Sequence, residues 1–158
     1  MKIKHWAGAF ACTAVMLGAS VAPASAINNI KGFGVQETLK NYVNLSDYTD
    51  EIGYTVKTLN PSADVVPYPV AGRLWEATVT VDSLRGTVTP VIPDFNARAE
   101  SGDNYRVLAD VSSVSGAPLA PGQSTSGKLY FDVVGDDPNS VVYNSGFEDL
   151  LGWVNPPA

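Results

Sequence analysis

Chemistry-bearing side chains are scarce in this sequence and crowded at one end. The single histidine, His5, and the single cysteine, Cys12, lie close to the start, as do the two methionines, Met1 and Met16. Lys2, Lys4 and His5 form a short basic opening, and no residue from Trp6 to Ala22 is charged. Ala24 and Ala26 then stand in the A-x-A arrangement that a signal peptidase cuts. Basic, then apolar, then small is the order of a secretory signal peptide, here residues 1–26. Two rivals fit less well. The uncharged run reaches only the short edge of the ~17–25 residues that span a bilayer, and it is rich in Ala, Gly, Ser and Thr. A lipid anchor needs its cysteine at the end of the apolar run, whereas Cys12 sits in the middle.

Removing 26 of the 158 residues leaves 132, a single domain over 27–158, with no histidine, cysteine or methionine. Loss of histidine excludes Ser-His-Asp catalysis, an imidazole base near neutral pH and nearly all zinc, copper and non-haem iron sites. Loss of cysteine excludes thiol nucleophiles, soft-metal sites and disulfides. Carboxylate, lysine, tyrosine or serine chemistry remains, together with oxygen-ligated calcium. No cofactor is implied. Positive charge is also short: once Lys2 and Lys4 go, eight Lys and Arg face sixteen Asp and Glu, a net charge of −8. Such a chain repels phosphate backbones and anionic lipid heads, so nucleic acid and, after cleavage, membrane are poor partners.

Long amphipathic helical patterns are missing too. What is present is strand chemistry: "IGYTVKTL", "ATVTV", "YRVLADV" and "KLYFDVV", separated by turn formers such as "PYP", "LRG", "ESGDN", "GAPLAPGQ" and "GDDPNS". Alternation assigns faces. Trp75, Ala77, Val79 and Val81 point one way and Leu74, Glu76, Thr78 and Thr80 the other; Leu129, Phe131 and Val133 alternate with Lys128, Tyr130 and Asp132. Two-faced strands of this kind suit antiparallel sheets with one side on a core. Seven to nine strands are predicted, near 39–46, 51–59, 71–82, 86–91, 95–99, 104–112, 127–135, 140–144 and 149–154, packed as a β-sandwich. Trp75, Val79 and Phe131 fall in the core, with Trp75 at its centre. Residues 27–36 and the tail "NPPA" are expected to fray.

The blocks "PYPVAGRLWEATVTV", "LRGTVTP", "FNAR", "NYRVL", "STSGKLYFDV" and "GFEDLLGW" occur in an order that resembles the small secreted mycobacterial immunogenic antigens of the MPT-sixty-three type. The resemblance is close over about 67–154, looser back towards residue 40, and departs from the pattern before that. It implies a secreted protein, an immunoglobulin-like antiparallel sandwich and antigenicity. It brings no enzymatic activity and no catalytic residues; fold likeness to adhesin and adaptor domains suggests host or surface contact.

Four constellations stand out. Asp136, Asp137 and Asn139 in one turn, with Asp103 from another loop, could supply oxygens to calcium, though the D-x-D-x-D-G spacing is missing and Asp-Pro-Asn is ordinary turn chemistry. Glu148 and Asp149 are adjacent, and so point to opposite sides of a strand rather than forming an acid–base pair; the segment reads as a turn into a strand that buries Leu151 and Trp153, or Leu150. "FNARAESGDNYR" reads as a hairpin that brings Arg98 beside Arg106, either neutralised by a carboxylate such as Glu76 or Glu100 or waiting for an anion or partner. Arg73 and Arg85 guard strand ends. Tyr42, Tyr48, Tyr54, Tyr68 and Tyr143, placed in the less regular parts, offer either a sugar or protein contact surface or core-edge and turn packing.

Two readings follow. One is a secreted, non-catalytic module, monomeric or weakly dimeric, that binds a protein or surface component of a host or of the cell envelope. The other is a carboxylate-based hydrolase or a small-ligand or calcium binder. The first predicts exposed apolar or aromatic surface; the second predicts a concave pocket with convergent carboxylates of perturbed pKa.

Overall fold

A computed structural model describes residues 29–155. The leader, with Ala24 and Ala26, lies outside the described residues, as does most of the "NPPA" tail.

Nine strands form: β1 Ile30–Gly32, β2 Gln36–Asn44, β3 Asp47–Pro61, β4 Arg73–Arg85, β5 Phe95–Arg98, β6 Asn104–Arg106, β7 Ser124–Val133, β8 Ser140–Asn144 and β9 Asp149–Val154. They make a five-stranded sheet, β1-β9-β8-β5-β6, facing a four-stranded sheet, β2-β3-β4-β7. Every pairing is antiparallel except the parallel one between β1 and β9. This is the two-sheet immunoglobulin-like sandwich.

The period-two reading of β4 and β7 holds. Trp75, Ala77, Val79 and Val81 face inward, and the register pairs Trp75 with Phe131 and Ala77 with Leu129. The centre of the core is elsewhere, however. Trp75 is buried but its indole N–H has no partner, whereas Trp153 is fully enclosed and its Nε1 donates to the Val35 carbonyl at 2.9 Å. Phe95 lies 5.4 Å from Tyr54, 5.0 Å from Tyr143 and 6.5 Å from Trp153, ring centre to ring centre. Tyr54 and Tyr143 are thus core residues on regular strands, not members of irregular segments. Burial pushes both phenols above their ordinary range.

Three strand expectations change. Residues 86–91 contribute a single bridge, Val88 to Leu119, because Gly86 adopts φ +67° and Pro90 and Pro93 lack donors. The segment expected at 104–112 stops at Arg106. Val107 then crosses to bridge Phe131 of the other sheet, and a 3-10 turn over Ala109–Val111 follows. Residues 107–114 thereby cover the outer edge of β7, with Leu108 N bonded to Tyr130 O and Ser113 N to Lys128 O. Residues 30–36 are not frayed. β1 pairs with β9, Gly34 at φ +89° turns the chain from one sheet to the other, and β2 begins at Gln36. One carboxylate, Glu37, goes inside with this crossing; its Oε1 is unpaired and burial raises its pKa.

Candidate functional site

Four surface features gather the functional side chains. The first is the outer face of the five-stranded sheet. Residues on β5 that alternate with the core residues Phe95 and Ala97 turn outward, so Asn96 and Arg98 share this face with Asn104 and Arg106 of β6. Register places Arg106 opposite Asn96 and Arg98 opposite Asn104, so the two arginines are diagonal neighbours rather than side by side. Arg98 is neutralised, but by neither Glu76 nor Glu100. Its two terminal nitrogens hold both oxygens of Asp149 at 2.6 Å, and its Nε donates to Asn96 Oδ1 at 2.8 Å. The Arg98 fork holds the Asp149 carboxyl below the usual range. Arg106 is exposed and joins no ion pair among the described residues.

The second feature is a polar network on the outer face of the four-stranded sheet, built from β4, β7 and the loop after β3. Lys128 Nζ donates to Asp64 Oδ2 at 2.7 Å and to Glu76 Oε2 at 3.0 Å; Tyr130 OH reaches Asp64 at 2.7 Å and Ser62 Oγ reaches Glu76 at 2.5 Å. A lysine, a tyrosine and two carboxylates in contact resemble acid–base machinery, so the direction of each titration decides what they can do. The Asp64 and Glu76 hydrogen bonds raise the Lys128 pKa, the Lys128 contact lowers that of Asp64, and desolvation followed by the Asp64 contact pushes Tyr130 up to about 12. Lys128, Asp64 and Tyr130 are thus each held further from neutral pH, the opposite of what a general base requires. The network ties the loop to the sheet. It was not legible in the sequence, because only the β4–β7 register brings Glu76 next to Tyr130.

The third feature is the corner where "GDDPNS" meets "SGDN". Asp103 Oδ2 accepts from Tyr105 OH at 3.2 Å and from the Asp136 N–H at 3.1 Å, so these loops do come together. The Asp137 carboxylate, however, is taken by Arg73, which also donates to the Gly135 carbonyl at 2.8 Å. Asn139 contributes its N–H to the Arg98 carbonyl. Among the described residues no three His, Cys, Asp or Glu side chains cluster closely enough to hold a metal. Glu148 and Asp149 diverge: Glu148 is exposed and Asp149 turns to Arg98. β9 buries Leu151 and Trp153, with Leu150 packed at the edge.

The fourth feature is the β2–β3 hairpin. Asn44 Oδ1 accepts the N–H groups of Ser46 and Asp47 at 2.9 and 3.0 Å, an Asx-type closure of the turn. Beyond it Tyr42, Val43 and Leu45 face solvent, Leu45 completely. Just behind the tip, Tyr48 is flanked by Lys40 Nζ at 4.5 Å and the Arg85 guanidinium at 4.6 Å from its ring centre, which stiffens the base of the hairpin. β2 is the edge of its sheet and is longer than either edge strand of the other sheet. Tyr42 and Tyr68 are therefore the exposed members of the five tyrosines singled out, and Tyr48 is partly exposed.

Over the described residues, a nine-stranded sandwich with an aromatic centre and no disulfide defines a small all-β module. The chain belongs to the family described as a domain of unknown function, DUF1942, whose model matches residues 28–153. The immunogenic protein MPT63 of Mycobacterium tuberculosis is 41% identical over 146 residues, covering 89% of this chain and 92% of its own. The immunogenic protein MPB63 of Mycobacterium bovis matches to the same extent. The crystal structure of the secreted protein MPT63 aligns with a TM-score of 0.73 at 43% identity, over 82% of this chain and 99% of that one. This chain is accordingly a secreted, antigen-like member of the family. The match from residue 28 also corrects the expectation that the family pattern is lost before residue 40.

Proposed function

We propose that the protein is a non-catalytic extracellular contact module that binds a protein of a host or cell surface through the β2–β3 hairpin and the adjoining β2 edge. The observation that carries this reading is the solvent-facing group of Tyr42 and Val43 at the end of the edge strand and Leu45 in the turn that follows. Apolar side chains gathered at a hairpin tip mark an interaction site, and an unpaired strand edge offers backbone donors and acceptors to a partner. The direction of the titrations in the Lys128 network supports contact over catalysis.

Affinity capture from host-surface and cell-envelope extracts with the mature domain tests the reading, with a Tyr42→Ser/Leu45→Ser variant run in parallel. A partner retained by the wild type and lost about tenfold or more by the variant supports it, since truncating an interface anchor costs more than about 1 kcal/mol. Equal retention by both proteins, or turnover of a substrate by the purified domain, sinks it.

A further inference from the structure

The cleft on the five-stranded sheet, remote in sequence from the β2–β3 hairpin, has a chemistry of its own. It has a volume of about 360 Å³ and lies where β5, β6 and the end of β8 meet. That size falls at the lower end of small-ligand sites. Of the four arginines in the described residues, Arg73, Arg85 and Arg98 have carboxylate partners and Arg106 alone has none, in a mature chain whose carboxylates outnumber its cations two to one. A guanidinium left without a partner amid such an excess of carboxylates is available to an outside anion.

The neighbours of Arg106 are fixed rather than mobile. Arg98 is locked by Asp149, and Asn96, itself buried, uses its Oδ1 on Arg98. That leaves the Asn96 amide N–H2 without a protein partner among the described residues. Asn104, exposed and opposite Arg98, likewise has a free side-chain amide there. Asp94 lines the same cleft. The lining therefore offers donors in Arg106, Asn96 and Asn104 and an acceptor in Asp94. A bare inorganic anion can use the donors but is repelled by Asp94. A ligand carrying both a carboxylate and hydroxyl groups satisfies all of them. The wall mixes these polar groups with Pro93 and Phe95, and Phe147, next in the chain to the lining residue Gly146, is wholly exposed.

We propose that this cleft binds an acidic saccharide, its carboxylate on Arg106 and its hydroxyls between Asn96, Asn104 and Asp94. The site does not depend on the hairpin reading: either can fail alone.

Titration of the isotopically labelled mature chain with a glucuronate-containing tetrasaccharide, followed by NMR and calorimetry, tests this. Parallel arms use a neutral glucose tetramer, inorganic phosphate and an Asp/Glu-rich hexapeptide. The acidic sugar is expected to shift the side-chain amides of Asn96 and Asn104 and to bind about tenfold more weakly to Arg106→Ala, the loss of one charge-assisted contact. Arg106→Lys keeps part of the affinity, Asn104→Ala loses some of it, and added salt weakens the complex. Because Arg106 is exposed, Arg106→Ala should melt with the wild type; if it does not fold, the shift map and Asn104→Ala still decide. Absence of binding, shifts elsewhere, equal affinity for the neutral tetramer, or tighter binding of phosphate or of the peptide each overturns the proposal.

Discussion

Asp149 shows how a single residue's role depends on what meets it across the fold. In the sequence it stands beside Glu148 and suggests a carboxylate pair; in the structure it is the bidentate partner of Arg98, 51 residues away, and also accepts from Asn144 Nδ2. With both side chains largely covered, removing the charge leaves Arg98 uncompensated. Asp149→Asn should destabilise the domain by about 2 kcal/mol at pH 7, read from urea unfolding. The sign with pH is fixed by the lowered folded-state pKa. The contribution is full above the unfolded carboxylate range near about pH 4 and is lost as pH falls through the lower folded value. Wild type and variant should converge in stability as pH falls from the unfolded carboxylate range through the lowered folded value. A gap that stays constant across that range removes the ion pair as the cause.

Among the elements, the strands with two clean faces were legible and those fixed by a distant neighbour were not. The faces of β4 and β7 could be read because one meets the core and the other carries mostly polar side chains, which writes a period of two into the sequence, although Leu74 and Tyr130 on the outer face are also buried. β1 has three residues, and only β9 makes it a strand. The covering of β7 by residues 107–114 is equally invisible, since it rests on backbone bonds to Lys128 and Tyr130. Gly127 makes that approach possible. A Cβ at this position would lie 2.7 Å from the backbone of Ser113 and Val114. Gly127→Ala should therefore push the segment off the strand and cost about 1–3 kcal/mol, with faster amide hydrogen exchange confined to β7 and residues 107–114. Unchanged exchange there would show that the segment does not depend on this contact.

At the level of the whole molecule, stability comes from burial between two sheets, with no cysteine among the described residues to form a covalent staple. The secreted protein should begin at Ile27, giving an intact mass without His5 or Cys12 and a urea midpoint that ignores reductant. A mass retaining residues 1–26 contradicts the leader reading and returns a histidine and a cysteine to the chemistry available. The aromatic group of Tyr54, Phe95, Tyr143 and Trp153 draws one ring from each of four strands, β3, β5, β8 and β9, so both sheets must be in register before the centre exists.

By itself the sequence determined that the protein is exported, that no histidine or cysteine stands within the sandwich and that its strands are two-faced, because each follows from residue type and local order. Only the tertiary structure decided which carboxylate neutralises Arg98, that Arg106 has no ion-pair partner among the described residues, and that Trp153 rather than Trp75 holds the centre. Those depend on strand register and on contacts between residues far apart in the chain, and local periodicity carries no record of either.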